Sequence, residues 1–370
     1  LATQRIFNVA VLPGDGIGVE VMDACLAVLV RLQHRVGGFG LALERHPGGA
    51  QLFRETGVAF PDGSMAACDH ADAILFGAMG LPDVRQADGT EIAPQLELRS
   101  RLDLYAGVRP IRALPGVPSP LSDPRGGEID FVLVREQSEG WFYGRYHPEA
   151  VPQSDDEMAY DLGRTTRKGS ERLFEFAFRL ARKRRARNPS KGRVTCVDKA
   201  NVHRSLALFH RVFWDCAKRH PDIAADHAYV DAMALNLIRK PWTYDVVPTE
   251  NQFGDILSDL AAGLIGGMGM APSGDIGDEH ALFQPAHGTA PDIAGRGLAN
   301  PTAMLLSAAM MLEWLGERHG VPAAAGAAHA LETAVDRVFA EGRVRPPDLG
   351  GDDGTTAVAN AVIAAIESGA

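Results

Sequence analysis

The chain has 370 residues, 46% of them apolar, and a net charge of −10. That length suits two domains or one large α/β unit with a sizeable core. The negative balance favours solubility and argues against generic nucleic-acid binding, and no apolar run reaches membrane-spanning length.

Ile6 to Leu12 reads as a buried strand rather than part of a signal peptide. A glycine-rich turn follows, then a helix from about Val19 to Val36. The turn, Gly14-Asp15-Gly16-Ile17-Gly18, lacks GxGxxG spacing, so it is weak support for a Rossmann domain. Ala73 to Phe76 is a second short buried strand, and Asp83 to Pro94 is polar and loop-like. Leu104 to Val108 and Ile129 to Val134 are further strands. Gln137 to Asp161 has no helical period and is long for a surface loop. Ser170 to Arg187 is an amphipathic helix with a strongly basic end. Those cations complement the carbonyl end of the helix and form a solvated face, since no stacking aromatics interleave them. Val194 to Val197 and Ala228 to Val230 read as strands, each ending at a candidate catalytic residue. Thr302 to Leu315 is an apolar helix. The four cysteines, Cys25, Cys68, Cys196 and Cys216, show no CxxC pairing, which fits reduced, mostly buried thiols and a cytoplasmic home.

The stretch from Asp231 to Asp259 carries most of the chemistry. Asp255 and Asp259 are four apart, on one face of a helix. Two like charges there repel, and a divalent cation would reverse that sign. Hard ions such as Mg²⁺ and Mn²⁺ take a few carboxylates plus water and substrate. The alternative is a solvated helix face, weakened by the apolar neighbours Phe253, Ile256, Leu257 and Leu260. Further on, His287-Gly288-Thr289-Ala290-Pro291-Asp292 makes a tight loop where backbone can approach a ligand closely.

These segments, together with Val197-Asp198-Lys199-Ala200-Asn201-Val202 and Asp348-Leu349-Gly350-Gly351, resemble the metal-dependent β-decarboxylating dehydrogenases of 2-hydroxy acids. That family includes isopropylmalate, isocitrate, homoisocitrate, tartrate and D-malate dehydrogenases. The resemblance covers nearly the whole chain. It implies an α/β, two-domain isopropylmalate dehydrogenase-like fold with a mixed sheet and an inter-domain cleft, not a Rossmann fold. One domain would be discontinuous, 1–104 and 266–370, on the cofactor side; the other, 105–265, would carry the dimer interface. Residues 137–161 would be an arm embracing a second subunit.

The same resemblance assigns roles. Asp231, Asp255 and Asp259 match the metal ligands, and Lys199 matches the general base. Asp231 and Lys199 would come from the other subunit of a homodimer. A lysine acts as a base near neutral pH only if burial or nearby positive charge lowers its pKa. Arg99, Arg109 and Arg135 match arginines that bind the carboxylates of a small dicarboxylate substrate, as bidentate pairing favours. Local salt bridges are the alternative for them, Arg135 beside Glu136 above all. Gln95 and Asn201 fall at substrate-facing positions. Ile17, the His287 to Asp292 loop and Asn300 fall at the cofactor. A carboxylate at Asp292 would hold the ribose hydroxyls and repel a 2′-phosphate, which selects NAD. No nucleic-acid or membrane partner is implied.

Three positions depart from the common pattern. Phe142 stands where the family has a catalytic tyrosine, with Tyr143 one residue later. A local slip that turns Tyr143 inward would restore the phenol; water is the alternative. Gln284 stands where a glutamate is frequent. Gln95 stands where isopropylmalate enzymes usually carry leucine, which suggests a small or polar substituent, as in tartrate or D-malate. The expectation is an NAD-dependent decarboxylating dehydrogenase most like 3-isopropylmalate dehydrogenase. The alternatives are a tartrate or D-malate enzyme and a non-catalytic regulatory homologue.

Overall fold

The computed structural model describes residues 5–87 and 89–369. In chain order its elements begin β1 (Arg5–Gly14), α1 (Ile17–Val36), β2 (Phe39–Arg45), α2 (Ala50–Thr56), α3 (Asp62–His70), β3 (Ala73–Ala78) and α4 (Pro94–Arg101). Then come β4 (Ala106–Arg112), β5 (Asp130–Glu136), α5 (Tyr143–Tyr146), α6 (Arg167–Arg187), β6 (Arg193–Asp198), α7 (Arg204–Ala217), β7 (Ala224–Tyr229), α8 (Val230–Arg239), β8 (Val246–Thr249) and α9 (Asn251–Gly263). The chain closes with β9 (Pro272–Ile276), β10 (Ala281–Pro285), α10 (Thr302–His319), α11 (Pro322–Ala340) and α12 (Thr355–Glu367).

The chain divides into two compact units. The first runs through Leu102, returns for 114–119, and resumes from Ile265. Its strands lie in the order β2-β1-β3-β10-β9. All neighbours are parallel except β9 and β10. Every residue of β3 is buried, as expected of a strand covered on both faces. Most of α10 is buried too, which explains its apolar residues all round.

The second unit comprises 103–113 and 120–264, with strand order β4-β5-β8-β6-β7. Only β4 runs antiparallel to its neighbour β5. α6 packs on α7, and α9 lies against β5. That approach needs glycine at 254, where a Cβ would sit 2.7 Å from the Arg135 side chain. The basic end of α6 is stapled within its unit: Arg182 and Arg185 pair with Asp222, and Arg184 with Asp130 and Asp245.

Several boundaries differ from the sequence reading. β7 ends at Tyr229, and Val230 opens α8. Asp231 therefore stands in the first turn of a helix, not at a strand end. β4 starts at Ala106, later than the apolar run at Leu104. The 137–161 segment holds the four-residue α5, a 3₁₀ turn at Pro148–Ala150 and, at Gly140, one end of an isolated bridge to Arg164, and residues 152–161 are exposed. The 83–94 loop includes Asp88, which lies outside the described residues. Among the described residues no helix is long and apolar enough to cross a membrane.

Candidate active site

The second unit gathers most of the candidate chemistry. Glu250 caps α9, accepting the N–H groups of Gln252 and Phe253, and also accepts Trp141 N–H. The next residue, Asn251, sends its amide to the Glu139 carbonyl at 3.0 Å. These bonds tie the start of the 137–161 segment to the helix that carries Asp255 and Asp259.

Arg135, at the end of β5, is 4% exposed. Its Nε and Nη2 donate to Asn251 Oδ1 at 2.9 and 2.8 Å, and its Nη1 donates to Asp255. The alternative pairing with Glu136 gives way to these partners across the strand–helix contact. Burial, then repulsion from Asp255, pushes the Asp259 carboxyl up, while Arg109 and Arg135 pull it back. Asp255, Ile256 and Asp259 form an exposed strip of α9, so the apolar neighbourhood expected here is only partial. Two carboxylates in tension beside buried arginines are a donor set that suits a hard divalent ion.

Lys199 follows β6, and its Nζ donates to Asp231 on α8. That bond holds the Asp231 carboxyl below its ordinary value. The group beside Lys199 is thus a carboxylate, not the positive charge anticipated for a lysine base. Asp231 is not brought together with Asp255 and Asp259 in this chain. Among the described residues, the group of three possible metal-ligating side chains that does converge is Asp198, His210 and His227. Asn201 is exposed just beyond Lys199.

Phe142 and Tyr143 diverge. The Arg135 guanidinium sits 5.1 Å from the Phe142 ring centroid. Tyr143 instead accepts from Arg164 at 2.9 Å through its hydroxyl, and its ring lies tilted against His147 with centroids 4.4 Å apart. The structure therefore does not bring the Tyr143 phenol to the Arg135–Asp255 pair; Phe142 occupies that place. The reason is backbone conformation. A one-residue slip swaps faces in extended chain, but here Phe142 is already helical and α5 starts at Tyr143.

The first unit holds the remaining candidates. Gln95 and Arg99 lie one turn apart on α4. Arg99 is buried and its Nε donates to Asp275 at 2.8 Å. Gln284 donates to the same carboxylate oxygen at 2.9 Å. Glutamate at 284 would set a second negative charge against Asp275, so glutamine is the complementary residue here. Gln95 Oε1 is buried without a hydrogen-bond partner among the described residues.

The His287 to Asp292 loop packs on the turn after β1. Ile17 N–H donates to the Thr289 carbonyl at 2.8 Å, and Thr289 Oγ1 donates to the Gly80 carbonyl at 2.7 Å. A Cβ on Gly16 would lie 2.1 Å from the Thr289 carbonyl oxygen, so only glycine permits this contact. Ala290 takes the uncommon φ of 36° in the same loop. Gly288, Pro291 and Asp292 are exposed. Burial pushes the His287 imidazole pKa down, and its Nε2 is buried without a partner among the described residues. An orphaned ring nitrogen beside bare backbone fits a heteroaromatic cofactor. Asn300 instead serves the fold: it accepts from Thr302 N–H and Oγ1 at the start of α10 and donates to Asp348.

Residues 8–364 match the family model described as isocitrate/isopropylmalate dehydrogenase. The chain belongs to the isocitrate/isopropylmalate dehydrogenase family. The 3-isopropylmalate/3-methylmalate dehydrogenase of Methanocaldococcus jannaschii is 41% identical over 96% of this chain and 97% of its own length. A probable tartrate dehydrogenase/decarboxylase of Agrobacterium vitis is 38% identical over 98% of each chain. The crystal structure of an isocitrate dehydrogenase from Methylococcus capsulatus superposes with a TM-score of 0.83 at 35% identity, covering 97% of this chain and 99% of its own. The fold is accordingly that of the isocitrate/isopropylmalate dehydrogenase family, as its motifs imply. Its members are β-decarboxylating dehydrogenases that act on small dicarboxylates and generally use NAD and a divalent metal.

Proposed function

We propose that this chain is an NAD-dependent, Mg²⁺- or Mn²⁺-dependent dehydrogenase that oxidatively decarboxylates a malate-type 2-hydroxy acid, most like 3-isopropylmalate. The observation that carries the reading is the cluster of Arg135, Asp255 and Asp259. It sets a buried carboxylate-binding arginine against two oxygen donors of the kind a hard cation takes.

In this reading Arg99, Arg109 and Arg135 hold the two substrate carboxylates, and Asn201 lies beside the substrate hydroxyl. Lys199 takes the hydroxyl proton as its neutral amine, and Asp231 accepts from the ammonium that results. The cation on Asp231, Asp255 and Asp259 would stabilise negative charge at the 2-oxo oxygen, and NAD would accept the hydride. Phe142 forms an apolar wall beside Arg135. Tyr143 is released from the proton path by its bond to Arg164, and solvent returns the proton to carbon. Ile17 and the His287 to Asp292 loop hold NAD, with Asp292 excluding a 2′-phosphate; Asn300 braces that side.

A homodimer completes the site. Asp231, Leu235 and Ile238 fall on one face of α8, and Leu235, Ile238 and Ile256 are 56%, 48% and 59% exposed. A second copy covering this apolar strip would bring Lys199 and Asp231 to the neighbour's Asp255 and Asp259. The four free, buried cysteines suit a reducing cytoplasm.

A tartrate or D-malate preference is the second reading. The buried, unpartnered Gln95 Oε1 favours tartrate within it, because the 3-hydroxyl of tartrate could donate to that oxygen and an isopropyl group could not. The deciding experiment is NAD reduction with Mn²⁺ against a panel of 3-substituted D-malates. Turnover with 3-isopropylmalate above tartrate and D-malate supports the first reading, and the reverse order the second. No turnover with any member would leave the regulatory homologue.

A further inference from the structure

Asp198, the last residue of β6, has a carboxylate with no solvent exposure and no arginine or lysine beside it among the contacts described. Its neighbours come from three elements. Its Oδ1 accepts the Ala200 N–H at 2.8 Å, bridging the backbone of Lys199. Its Oδ2 lies 3.0 Å from His210 Nδ1 on α7. His227 Nε2, on β7, lies 3.0 Å from Oδ1 without making a hydrogen bond to it. One turn along α7, Trp214 Nε1 lies 3.0 Å from His210 Nε2.

An indole N–H only donates, so His210 Nε2 is the acceptor and Nδ1 carries the ring hydrogen. That hydrogen points to Asp198. A metal ion bound through Nδ1 would need the opposite tautomer and would break the bond to Trp214. Trp214, His210 and Asp198 therefore form a hydrogen-bonded chain rather than a cation site. Its position matters. Asp198 pairs with Tyr229 in the parallel register of β6 and β7, and β7 runs directly into α8, whose second residue is Asp231. This buried carboxylate ties the turn that presents Lys199 to α7 and lies against β7, the strand that leads to Asp231.

We propose that Asp198, held by His210, which Trp214 in turn orients, is a positioning residue that fixes Lys199 against Asp231. The proposal rests on the reading of Lys199 as the base. Asp198 takes no proton from substrate; it sets the backbone from which the lysine reaches.

The test uses the full-length protein with NAD and Mn²⁺ on its best substrate, and compares Asp198→Asn, His210→Leu, His210→Asn and Lys199→Ala. Misplacing a reacting group by about 1 Å costs about a hundredfold in rate, so Asp198→Asn and His210→Leu should lower kcat by about ten- to a hundredfold, with KM within about threefold. His210→Asn places an amide N–H near the Nδ1 position and should recover most of kcat. Amide exchange at Ala200, read without any turnover, should speed up in Asp198→Asn. Unchanged Ala200 exchange, or wild-type kcat in both Asp198→Asn and His210→Leu, overturns the proposal. So does a loss of kcat that His210→Asn fails to rescue. Full turnover by Lys199→Ala would instead remove the base assignment, leaving the exchange result to judge the anchoring.

Discussion

Glu136 lies next to Arg135 at the end of β5, is 4% exposed, and takes no part in the proposed chemistry. Its carboxylate accepts Ser138 N–H and Oγ and the Glu139 N–H. Burial outweighs those bonds and pushes the carboxyl from 4.5 up to about 7. Between those values the folded chain keeps a proton that the unfolded chain has released. Stability from this group is fully present below pH 4.5 and is lost as pH rises through about 7. The shift is equivalent to about 3 kcal/mol. Glu136→Gln cannot ionise. It gives up one acceptor at every pH, costing about 1–2 kcal/mol, and removes the pH-dependent loss. Urea unfolding of both proteins from pH 4.5 to pH 8 should therefore show the variant less stable at the acid end, with the difference swinging by about 3 kcal/mol in its favour by pH 8. Stability curves that stay parallel across the window would refute the account of Glu136.

Three further outcomes follow from the site. Asp292 should make kcat/KM with NAD exceed that with NADP by about a hundredfold or more, since a carboxylate at the ribose repels the phosphate; equal use of both, measured by initial rates, would place Asp292 elsewhere. Mixing Lys199→Ala with Asp255→Asn should regenerate activity, because one site of the mixed dimer keeps both residues; two inactive parents that stay inactive after subunit exchange would contradict shared sites. Tyr143→Phe should lower kcat by less than about tenfold, since its hydroxyl is held by Arg164; a fall of about a hundredfold, the usual loss for a general acid, would return the phenol to the proton path.

The sequence made the central strands and the long helices legible because each buries an uninterrupted or periodic apolar face. β3 and α10 are both recognisable from composition alone. Spacing also revealed the Asp255–Asp259 pair, since helical neighbours are local. What it hid depends on contacts far apart in the chain. Arg99 meets Asp275 across 176 residues, and Arg135 meets Asp255 across 120. The Asp198 cluster is hidden for the same reason, although a carboxylate closing a mostly buried strand is a visible hint. The helical place of Asp231 is hidden because Tyr229 and Val230 suit a strand as well as a helix start. Phe142 and Tyr143 could be told apart only once the chain was seen to turn helical there.

The proposed reaction couples two products. With NAD, Mn²⁺ and the best substrate of the 3-substituted D-malate panel, NADH and CO₂ measured in the same vessel should appear in equal amounts, and chelation of the metal should stop both together. NADH without CO₂, or turnover that survives exhaustive metal removal, would contradict oxidative decarboxylation at the Arg135–Asp255–Asp259 cluster.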